Sequence, residues 1–295
     1  MRSIVTGGSG FIGSHVVDKL IDNGHEVIVM DHRVKPHRSD VEFKDVDIID
    51  FSSVLDATKD CDYIFHLAAM SNVNHVYEKP VYSVELNVMG TVNILEAARQ
   101  NSCKRVIFAS TVWVYSGCNG TYVNESSPFF MPGAGHIYSS SKIACEFLIC
   151  DYQKLYGLPY TILRYGIPYG PRMRMELVIP IFLKKALEGE PLTITGDGSQ
   201  YRNFIYVDDL ADAHVLALSD NAENEILNLE GMRRISIKEI VETIDTLYDK
   251  NVTIEYMDAR PGDYEGKEAS NDKIKRLLDW EPSIDFKEGM QHTLE

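Results

Sequence analysis

The stretch Thr6-Gly7-Gly8-Ser9-Gly10-Phe11-Ile12-Gly13 decides the fold of this chain because of what lies on either side of it. A short β-branched run, Ile4-Val5, precedes it, and the residues from His15 to Ile21 are apolar at helical spacing. A second apolar run, Val27 to Met30, then ends in Asp31. This order of strand, glycine-rich turn, helix, strand and acid is typical of a βαβ unit that binds a dinucleotide.

Three residues of this unit have distinct roles in holding a dinucleotide. Gly10 lets the backbone approach a pyrophosphate, which the N-terminus of the following helix also attracts, and Gly13 lets that helix pack closely on the strand. Asp31 is placed to accept hydrogen bonds from a ribose diol, and its charge would repel a 2′-phosphate. The sequence therefore predicts NAD rather than NADP, a preference that the neighbouring Arg33 and Lys35 weaken.

Composition and charge exclude several classes of protein. The chain has 295 residues, of which 44% are hydrophobic, enough for one large domain or two unequal ones. Its net charge of −15 argues against nucleic acid or an anionic membrane as the main partner. No apolar run approaches the roughly 20 residues that cross a bilayer. Five cysteines without a CxxC pair predict a reduced, cytoplasmic protein, and the scattered histidines predict no metal site.

Strands and helices keep alternating after the first unit, which is the pattern of a parallel sheet covered on both faces. We expect an α/β fold, a Rossmann doubly wound parallel sheet with a smaller, discontinuous C-terminal substrate lobe. Residues 1–165 and about 204–227 are predicted to form the NAD-binding domain. Residues from about 166–203 and 228–295 are predicted to form the lobe, because the chain becomes rich in proline, glycine and charge after Tyr165. Ligands in such sheets bind beyond the carboxyl ends of the strands.

Tyr138 and Lys142 lie four residues apart, on one face of a predicted helix. A lysine cation near a phenol stabilises the phenolate and lowers the tyrosine pKa from its usual value of about 10. Such a tyrosine can take a proton from a sugar hydroxyl as a hydride leaves the same carbon. Thr111, at the end of a neighbouring strand, supplies a hydroxyl that can hold the reacting oxygen. These three residues are the predicted catalytic group.

Further motifs follow in order along the chain. They are Thr6 to Gly13, Asp31, Asp47-Ile48, His66-Leu67-Ala68-Ala69, Asn87 with Gly90-Thr91, Thr111, Tyr138 with Lys142, Arg164 with Tyr169-Gly170-Pro171, and Arg260-Pro261-Gly262-Asp263. Together they make the chain similar to the extended short-chain dehydrogenase/reductases, specifically the NAD-dependent nucleotide-sugar epimerase/dehydratase family. The resemblance runs from residue 1 to about residue 265.

The resemblance implies a set of cofactor contacts. They are Gly7, Gly10, Phe11, Ile12, Gly13, Asp31, His32, Asp47, Ile48, Leu67, Ala68, Ala69, Asn87, Tyr138, Lys142 and Tyr165. Among them, Asp47 and Ile48 would contact the adenine, and Asn87 would hold the active-site helix and its water structure. Lys142 would bind the nicotinamide ribose while tuning Tyr138.

The resemblance also implies substrate contacts and a partner. The implied substrate contacts are Thr111, Trp113, Arg174, Arg202 and Arg260. Arg202 and Arg260 would clamp the nucleotide diphosphate, because the planar guanidinium fork matches phosphate oxygens. The helices near 84–101 and 138–156 would pair with their copies in a homodimer.

Members of this family share oxidation at sugar C4 and differ in the fate of the 4-keto intermediate. Dehydratases use an acid and a base, an Asp-Glu pair after the threonine, and decarboxylases keep the glutamate. Val112 and Trp113 occupy these positions and cannot move a proton. We therefore predict a UDP-sugar 4-epimerase. The alternatives are a 4-ketoreductase, which commonly prefers NADPH, an atypical dehydratase, and a non-catalytic NAD-binding regulator, although regulators usually lack the tyrosine and lysine kept here.

Two positions depart from the family pattern at the substrate end. Ile167 and Leu177 stand where asparagines usually meet the nucleotide sugar, which indicates a different hexose, a different nucleotide or a repositioned diphosphate. Arg174 is the predicted compensation. Trp113 is bulky where small residues are usual, so it either contacts the sugar or packs beneath the loop at 117–120.

Overall fold

The computed structural model describes residues 1–130, 135–248, 252–258 and 267–294, and its centre is a parallel sheet of seven strands. These strands are β1 (Arg2–Thr6), β2 (Glu26–Asp31), β3 (Glu42–Asp45), β4 (Tyr63–His66), β5 (Arg105–Thr111), β7 (Tyr160–Tyr165) and β11 (Glu225–Leu229). They lie in the order β11-β7-β5-β4-β1-β2-β3, with every neighbouring pair parallel. The doubly wound Rossmann sheet that the sequence predicts is confirmed.

Helices cover both faces of this sheet, which is why its strands are nearly continuous apolar runs. One face carries α1 (Phe11–Asp22) and α8 (Val207–Leu216), which pack on each other over a core that includes Val5, Val29 and Leu163. The other face carries α2 (Phe51–Ala57), α5 (Gly90–Gln100) and α6 (Ile137–Tyr156) over a second core. β5, near the middle of the sheet, is buried along its whole length.

The turn between β1 and α1 depends on two glycines whose surroundings leave no space for a side chain. Gly7 has a φ of 69°, and a Cβ there would lie 2.9 Å from the backbone nitrogen of Ala68. A Cβ on Gly13 would lie 2.8 Å from the Cα of Gly8 and would overlap the carbonyl of Gly7. Helix α1 therefore starts directly against the strand ends, with its N-terminus at the carboxyl edge of the sheet.

The helix that the sequence predicts from Val84 to about Asn101 is interrupted. A short helix, α4 (Pro80–Val84), is followed by a π-helical turn at Glu85–Met89, and only then by α5. Within the turn, the amide of Gly90 bonds to the carbonyl of Glu85, one residue further back than in an α-helix. The sequence pattern could not show this, because the bonds that hold the turn join it to other segments.

The C-terminal part forms a smaller lobe with its own core. β8 (Ile167–Tyr169), β10 (Tyr201–Tyr206) and β12 (Arg234–Ser236) make one sheet, and β9 (Leu192–Thr195) pairs with β13 (Ile254–Met257). Its helices are α7 (Val178–Glu188), α9 (Ile237–Tyr248) and α11 (Phe286–Leu294). The remaining elements are α3 (Val73–Glu78), α10 (Asp272–Leu278), and β6 (Tyr122–Val123) paired with β14 (Glu268–Ala269).

The chain crosses between the two sheets at different points from those in the sequence prediction. The run from Phe204, assigned there to the larger domain, belongs to β10 and pairs with β8 of the lobe, while the earlier residues of β10 pair with β12. Helix α8 and strand β11 then return to the central sheet. The division into two domains stays a prediction. Among the described residues, no helix is long and apolar enough to cross a membrane, and no cluster of three or more His, Cys, Asp or Glu could hold a metal ion.

Candidate active site

A cavity of about 560 Å³ runs along the carboxyl edge of the central sheet and reaches β8 of the lobe. The predicted site residues that line it are Gly7, Gly10, Phe11, Ile12, Gly13, Asp31, His32, Asp47, Ile48, Leu67, Ala68, Ala69, Thr111, Trp113, Tyr138, Lys142, Tyr165 and Arg174. Asn87 and Arg202 are not part of its lining, and Arg260 lies outside the described residues. Ser110, which the sequence places beside Thr111 at the end of its strand, also lines the cavity, as do Ser71 and Tyr82, which the sequence pattern did not indicate.

The carboxylate of Asp31 is fixed at the end of β2, where it lines the cavity. One of its oxygens accepts from the backbone nitrogen of Ser9 at 3.0 Å, and the other accepts from that of His32 at 2.8 Å. Burial raises the pKa of Asp31, and these amide bonds oppose the rise. With the glycine turn and the N-terminus of α1 beside it, this carboxylate suits a ribose diol next to a pyrophosphate, so the residues fit NAD.

Asn87 acts on the cavity through a neighbouring segment. Its Oδ1 accepts from the backbone nitrogen of Met70 at 2.8 Å, and its Nδ2 donates to the carbonyl of Met70 at 3.1 Å and to Ser141 Oγ at 3.2 Å. Asn87 therefore holds the segment after β4, which carries Ala68, Ala69 and Ser71 in the cavity wall. Ser141 in turn donates to the carbonyl of Tyr138 at 2.7 Å, which links this clamp to α6.

Tyr138 and Lys142 share the predicted helix face, but the lysine does not point at the phenol. Lys142 Nζ donates to the carbonyl of Ala109 at 2.7 Å and lies 4.5 Å from the ring centroid of Phe108, against 5.9 Å for Tyr138. Burial lowers the pKa of Lys142 to about 8 and raises that of Tyr138 to about 12. The expected lowering of the tyrosine pKa by Lys142 is not seen. The cation that opposes the rise is Arg174.

Arg174 comes from the lobe, and its guanidinium lines the same cavity as Tyr138. Among the described residues its guanidinium has no hydrogen bond or ion pair, whereas that of Arg172, two residues earlier, is paired with Asp18 at 2.7 Å. Arg174 thus lies close enough to affect the phenol of Tyr138, and Ile167 and Leu177 line the same cavity; its predicted contact with the substrate stays a prediction.

Thr111 and Trp113 form the wall opposite the lobe. Thr111 Oγ1 accepts from the backbone nitrogen of Trp113 at 3.2 Å, which fixes the turn that carries both. The indole of Trp113 stacks at a tilt on the ring of His136, with centroids 4.8 Å apart, and also lines the cavity. His136 caps α6 by accepting from the backbone nitrogen of Ser139. Trp113 thus both packs and faces the cavity, which the sequence had posed as alternatives.

Buried polar pairs that sequence reasoning missed support this end of the sheet. Glu146 pairs with Arg164 at 2.6 Å and accepts from Ser110 Oγ at 2.5 Å. On the opposite face, Tyr165 Oη and His214 Nε2 are 2.5 Å apart. Glu146 follows Lys142 by four residues, so helical spacing gave a signal for it. No local signal identified His214, because its partner lies 49 residues away.

Arg202, predicted to clamp a diphosphate, lies on β10 of the lobe. Its Nη1 donates to the carbonyl of Tyr201 at 2.7 Å, and its side chain does not line the cavity. A diphosphate contact from Arg202 stays a prediction. The backbone of β10 at this point is paired with β12, which places the residue on the lobe side of the crossing.

Comparisons with known proteins agree with this geometry. The model of the NAD dependent epimerase/dehydratase family matches residues 3–229. A putative UDP-glucose 4-epimerase of Methanocaldococcus jannaschii is 36% identical, over 99% of this chain and 96% of that protein. A UDP-N-acetyl-alpha-D-glucosaminuronate decarboxylase of Bacillus cytotoxicus is 32% identical, over 100% of this chain and 97% of that protein.

A solved structure is similar over nearly the whole chain. It is the UDP-glucuronic acid 4-epimerase of Bacillus cereus in complex with UDP-glucuronic acid and NAD. Its TM-score to this chain is 0.90 at 30% sequence identity, with 99% of this chain and 98% of that chain covered.

Proposed function

This chain belongs to the NAD-dependent epimerase/dehydratase family and is an enzyme that uses NAD, and we propose that its reaction is the 4-epimerisation of a UDP-sugar. The observation that carries the proposal is the composition of the wall around Tyr138. That wall offers the phenol of Tyr138 and the hydroxyl of Thr111 for proton transfer at the reacting carbon. Val112 and Trp113, which follow Thr111, supply no acid or base for a second reaction.

In the proposed reaction, Tyr138 takes the proton of the C4 hydroxyl and later returns it to the same oxygen. Thr111 holds that oxygen while its charge changes, and the cation of Arg174 opposes the cost of forming a buried phenolate. When bound, NAD supplies reversible hydride acceptance at C4. Because the oxidation is undone by the reduction, the sequence of steps needs no added reductant. Inversion then requires that the sugar turn over between the two transfers.

The other reactions of the family each need something that this wall lacks. Elimination of water across C5 and C6 needs an additional acid and base, and Val112 and Trp113 are neither. Net reduction of a 4-keto sugar needs a cofactor that exchanges with a pool, commonly NADPH, which the carboxylate of Asp31 disfavours. A regulator without turnover would have no use for Tyr138 and Lys142 together in one cavity.

We further propose that the preferred sugar carries a carboxylate. Arg174 is a cation with no carboxylate partner among the described residues, close to the phenol that acts at C4. A uronate places a negative charge on the carbon next to C5, within the same part of the sugar. A charge-assisted bond to an arginine contributes about 1.5–3 kcal/mol, enough to separate an acidic sugar from a neutral one.

We also propose that the protein is a homodimer. Large apolar side chains are exposed along α4, the π-helical turn and α6, among them Val81 at 82% and Leu155 at 72%. An exposed apolar face of this kind marks an interaction surface, and a second copy would cover it on both chains at once. Light scattering should give twice the mass of the chain, and a single-chain mass would contradict this.

The test is to incubate the purified protein with UDP-glucose and with UDP-glucuronic acid, without added reductant, and to monitor the anomeric and C4 signals by NMR. We expect inversion at C4 and faster turnover of the acidic sugar. Strict dependence on NADPH would support a ketoreductase, and loss of water or carbon dioxide would contradict the argument from Val112 and Trp113. Binding of NAD with no turnover of either sugar or of GDP-, dTDP- and CDP-sugars would support the regulator.

A further inference from the structure

A chain of hydrogen bonds runs behind the cavity from the backbone amide of Ala68 to the backbone carbonyl of Asn87. The nitrogen of Ala68 donates to Thr6 Oγ1 at 3.1 Å, and this hydroxyl lies 2.8 Å from His66 Nδ1. His66 Nε2 lies 3.0 Å from Thr91 Oγ1, which donates to the carbonyl of Asn87 at 2.6 Å. Thr6, His66, Thr91 and Asn87 are all buried, so water does not compete for these bonds.

The amide of Ala68 and the carbonyl of Asn87, at the two ends of this series, fix the direction of every hydrogen bond in it. An amide N–H only donates and a carbonyl oxygen only accepts, and each threonine hydroxyl has one proton to give. Thr91 gives its proton to Asn87, so it must accept from His66 Nε2–H. His66 Nδ1 is therefore the bare nitrogen, and it accepts the proton of Thr6. This requires a neutral imidazole in one tautomer.

The surroundings of His66 keep it in that state. Burial and, to a smaller extent, the positive charge of Lys142 together lower the pKa of His66 to about 3. The ring is also packed at a tilt on Phe108, with centroids 5.7 Å apart. The imidazole is thus neutral near neutral pH.

This series of hydrogen bonds ends at the point where the helix departs from α-helical bonding. The carbonyl of Asn87 lies in the π-helical turn, and it accepts both the Thr91 hydroxyl and Cys145 Sγ, the latter at 3.2 Å. π-helical turns are rare and occur mostly at functional sites. This turn directs the side chain of Asn87 onto both backbone groups of Met70.

We propose that His66 is a positioning residue for the cofactor, which acts by holding the π-helical turn so that Asn87 can clamp the cavity wall at 67–71. Any effect of His66 on turnover depends on the proposed function being correct. Its effect on the wall and on NAD binding is independent of which sugar is converted.

Thr91 offers a matched pair of variants for the test in the full-length protein. Thr91→Val keeps the volume and removes the hydroxyl, whereas Thr91→Ser keeps the hydroxyl. Hydrogen exchange read on a peptide that contains the amide of Met70 reports the clamp, and calorimetry after removal of bound cofactor gives the affinity for NAD. For Thr91→Val we expect faster exchange at Met70 and an affinity weakened by about fivefold to tenfold, because the bonds of the hydroxyl to both His66 and Asn87 are lost. Thr91→Ser should stay close to the wild-type protein.

His66→Phe gives a second reading, because it removes both ring nitrogens and keeps an aromatic ring against Phe108. It should change exchange at Met70 and NAD affinity in the same direction as Thr91→Val. The proposal is overturned if Thr91→Val lowers only the melting temperature, with exchange at Met70 and NAD affinity as in the wild type. Neither readout uses a sugar, so a failed epimerase assay leaves this result intact.

Discussion

The two ends of the cavity are built from different parts of the chain. The glycine end, formed by residues 7–13, Asp31 and residues 67–69, consists largely of backbone and of short side chains held by backbone amides. The tyrosine end, formed by Thr111, Trp113, Tyr138 and Arg174, consists of side chains that extend into the cavity. Three of these come from the central sheet and its helices, and Arg174 comes from the lobe.

This difference separates what folding requires from what recognition requires. At the glycine end, the atoms that would meet the dinucleotide are the atoms that pack α1 on β1, so a change there affects both. At the tyrosine end, the side chains of Tyr138 and Arg174 can change without disturbing the backbone that carries them. We therefore expect substitutions at the glycine end to weaken NAD binding, together with stability where they crowd the packing of α1 on β1. Those at the tyrosine end should affect turnover and sugar recognition.

Replacing Tyr138 by Phe tests this separation with the largest expected effect. The variant lacks the phenol that exchanges a proton with C4, so kcat should fall about 10²-fold to 10⁴-fold. NAD content and melting temperature should stay close to those of the wild type, because the ring and its packing remain. Tyr122→Phe, at an exposed site on β6, is the control. Equal loss of NAD in the Tyr138 variant would contradict the separation.

Gly13 and Gly10 give the opposite test at the other end. A Cβ on Gly13 would overlap the carbonyl of Gly7, so Gly13→Ala should lose about 3 kcal/mol of unfolding free energy and its NAD together. A Cβ on Gly10 would meet only that same carbonyl oxygen, at 3.2 Å, and would otherwise face the cavity. The Gly10→Ala variant should therefore keep a nearly normal free energy of unfolding but bind NAD more weakly. Urea unfolding and NAD titration check both, and a Gly13 variant of normal stability would refute the packing argument.

The same difference between the two ends of the cavity explains which parts of the site could be predicted from the sequence. The glycine end was predictable because its decisive features, Gly10, Gly13 and Asp31, lie within one βαβ unit, where spacing alone fixes geometry. The position of Arg174 beside Tyr138 was not, because it depends on how the lobe folds back over the sheet. The π-helical turn was hidden because its bonds reach other segments. The apolar run from Phe204 fits either sheet, so the pairing of its first three residues with β8 could not be inferred.

Arg174 tests whether side chains at the tyrosine end set specificity. Arg174→Leu removes the cation and should raise KM for UDP-glucuronic acid about tenfold to hundredfold, the value of a charge-assisted hydrogen bond. KM for UDP-glucose should change little. Arg174→Lys keeps the charge but loses the planar fork. Its KM for UDP-glucuronic acid should lie between those of the wild type and of Arg174→Leu. Steady-state kinetics on both sugars decide the matter, and an equal rise in KM for both would remove the argument for an acidic sugar.

Glu230 lies where the two parts of the molecule meet and belongs to neither end. Its side chain is 3% exposed, and its Oε2 is buried without a hydrogen-bond partner among the described residues, as is Oδ1 of the neighbouring Asn203 on β10. A Cβ on Gly166 would overlap that same Oε2, so the carboxyl packs directly on the backbone that crosses from β7 to β8. Burial raises the pKa of Glu230 well above its usual value, and the charge of Glu268, itself paired with Arg234, adds to the rise, while hydrogen bonds from the Ala269 backbone and the Asn203 side chain oppose it.

The sign of the resulting pH dependence comes from the proton count. Below a pH of about 4.3, Glu230 is protonated in both the folded and the unfolded chain. Above it, the unfolded chain has released the proton and the folded chain has not, so unfolding releases a proton and rising pH favours it. This carboxyl should therefore lower the unfolding free energy by up to about 1.4 kcal/mol per pH unit, until its folded-state pKa is reached.

Glu230→Gln keeps the shape of the neutral acid and cannot ionise, so urea unfolding between about pH 5 and 8 should show a shallower decline than in the wild type. The gap between the two proteins should widen as the pH rises. Parallel curves would mean that Glu230 is ionised in the folded protein and that a cation reaches it. NAD affinity should be equal in both, since the acid lies behind Gly166 rather than in the cavity.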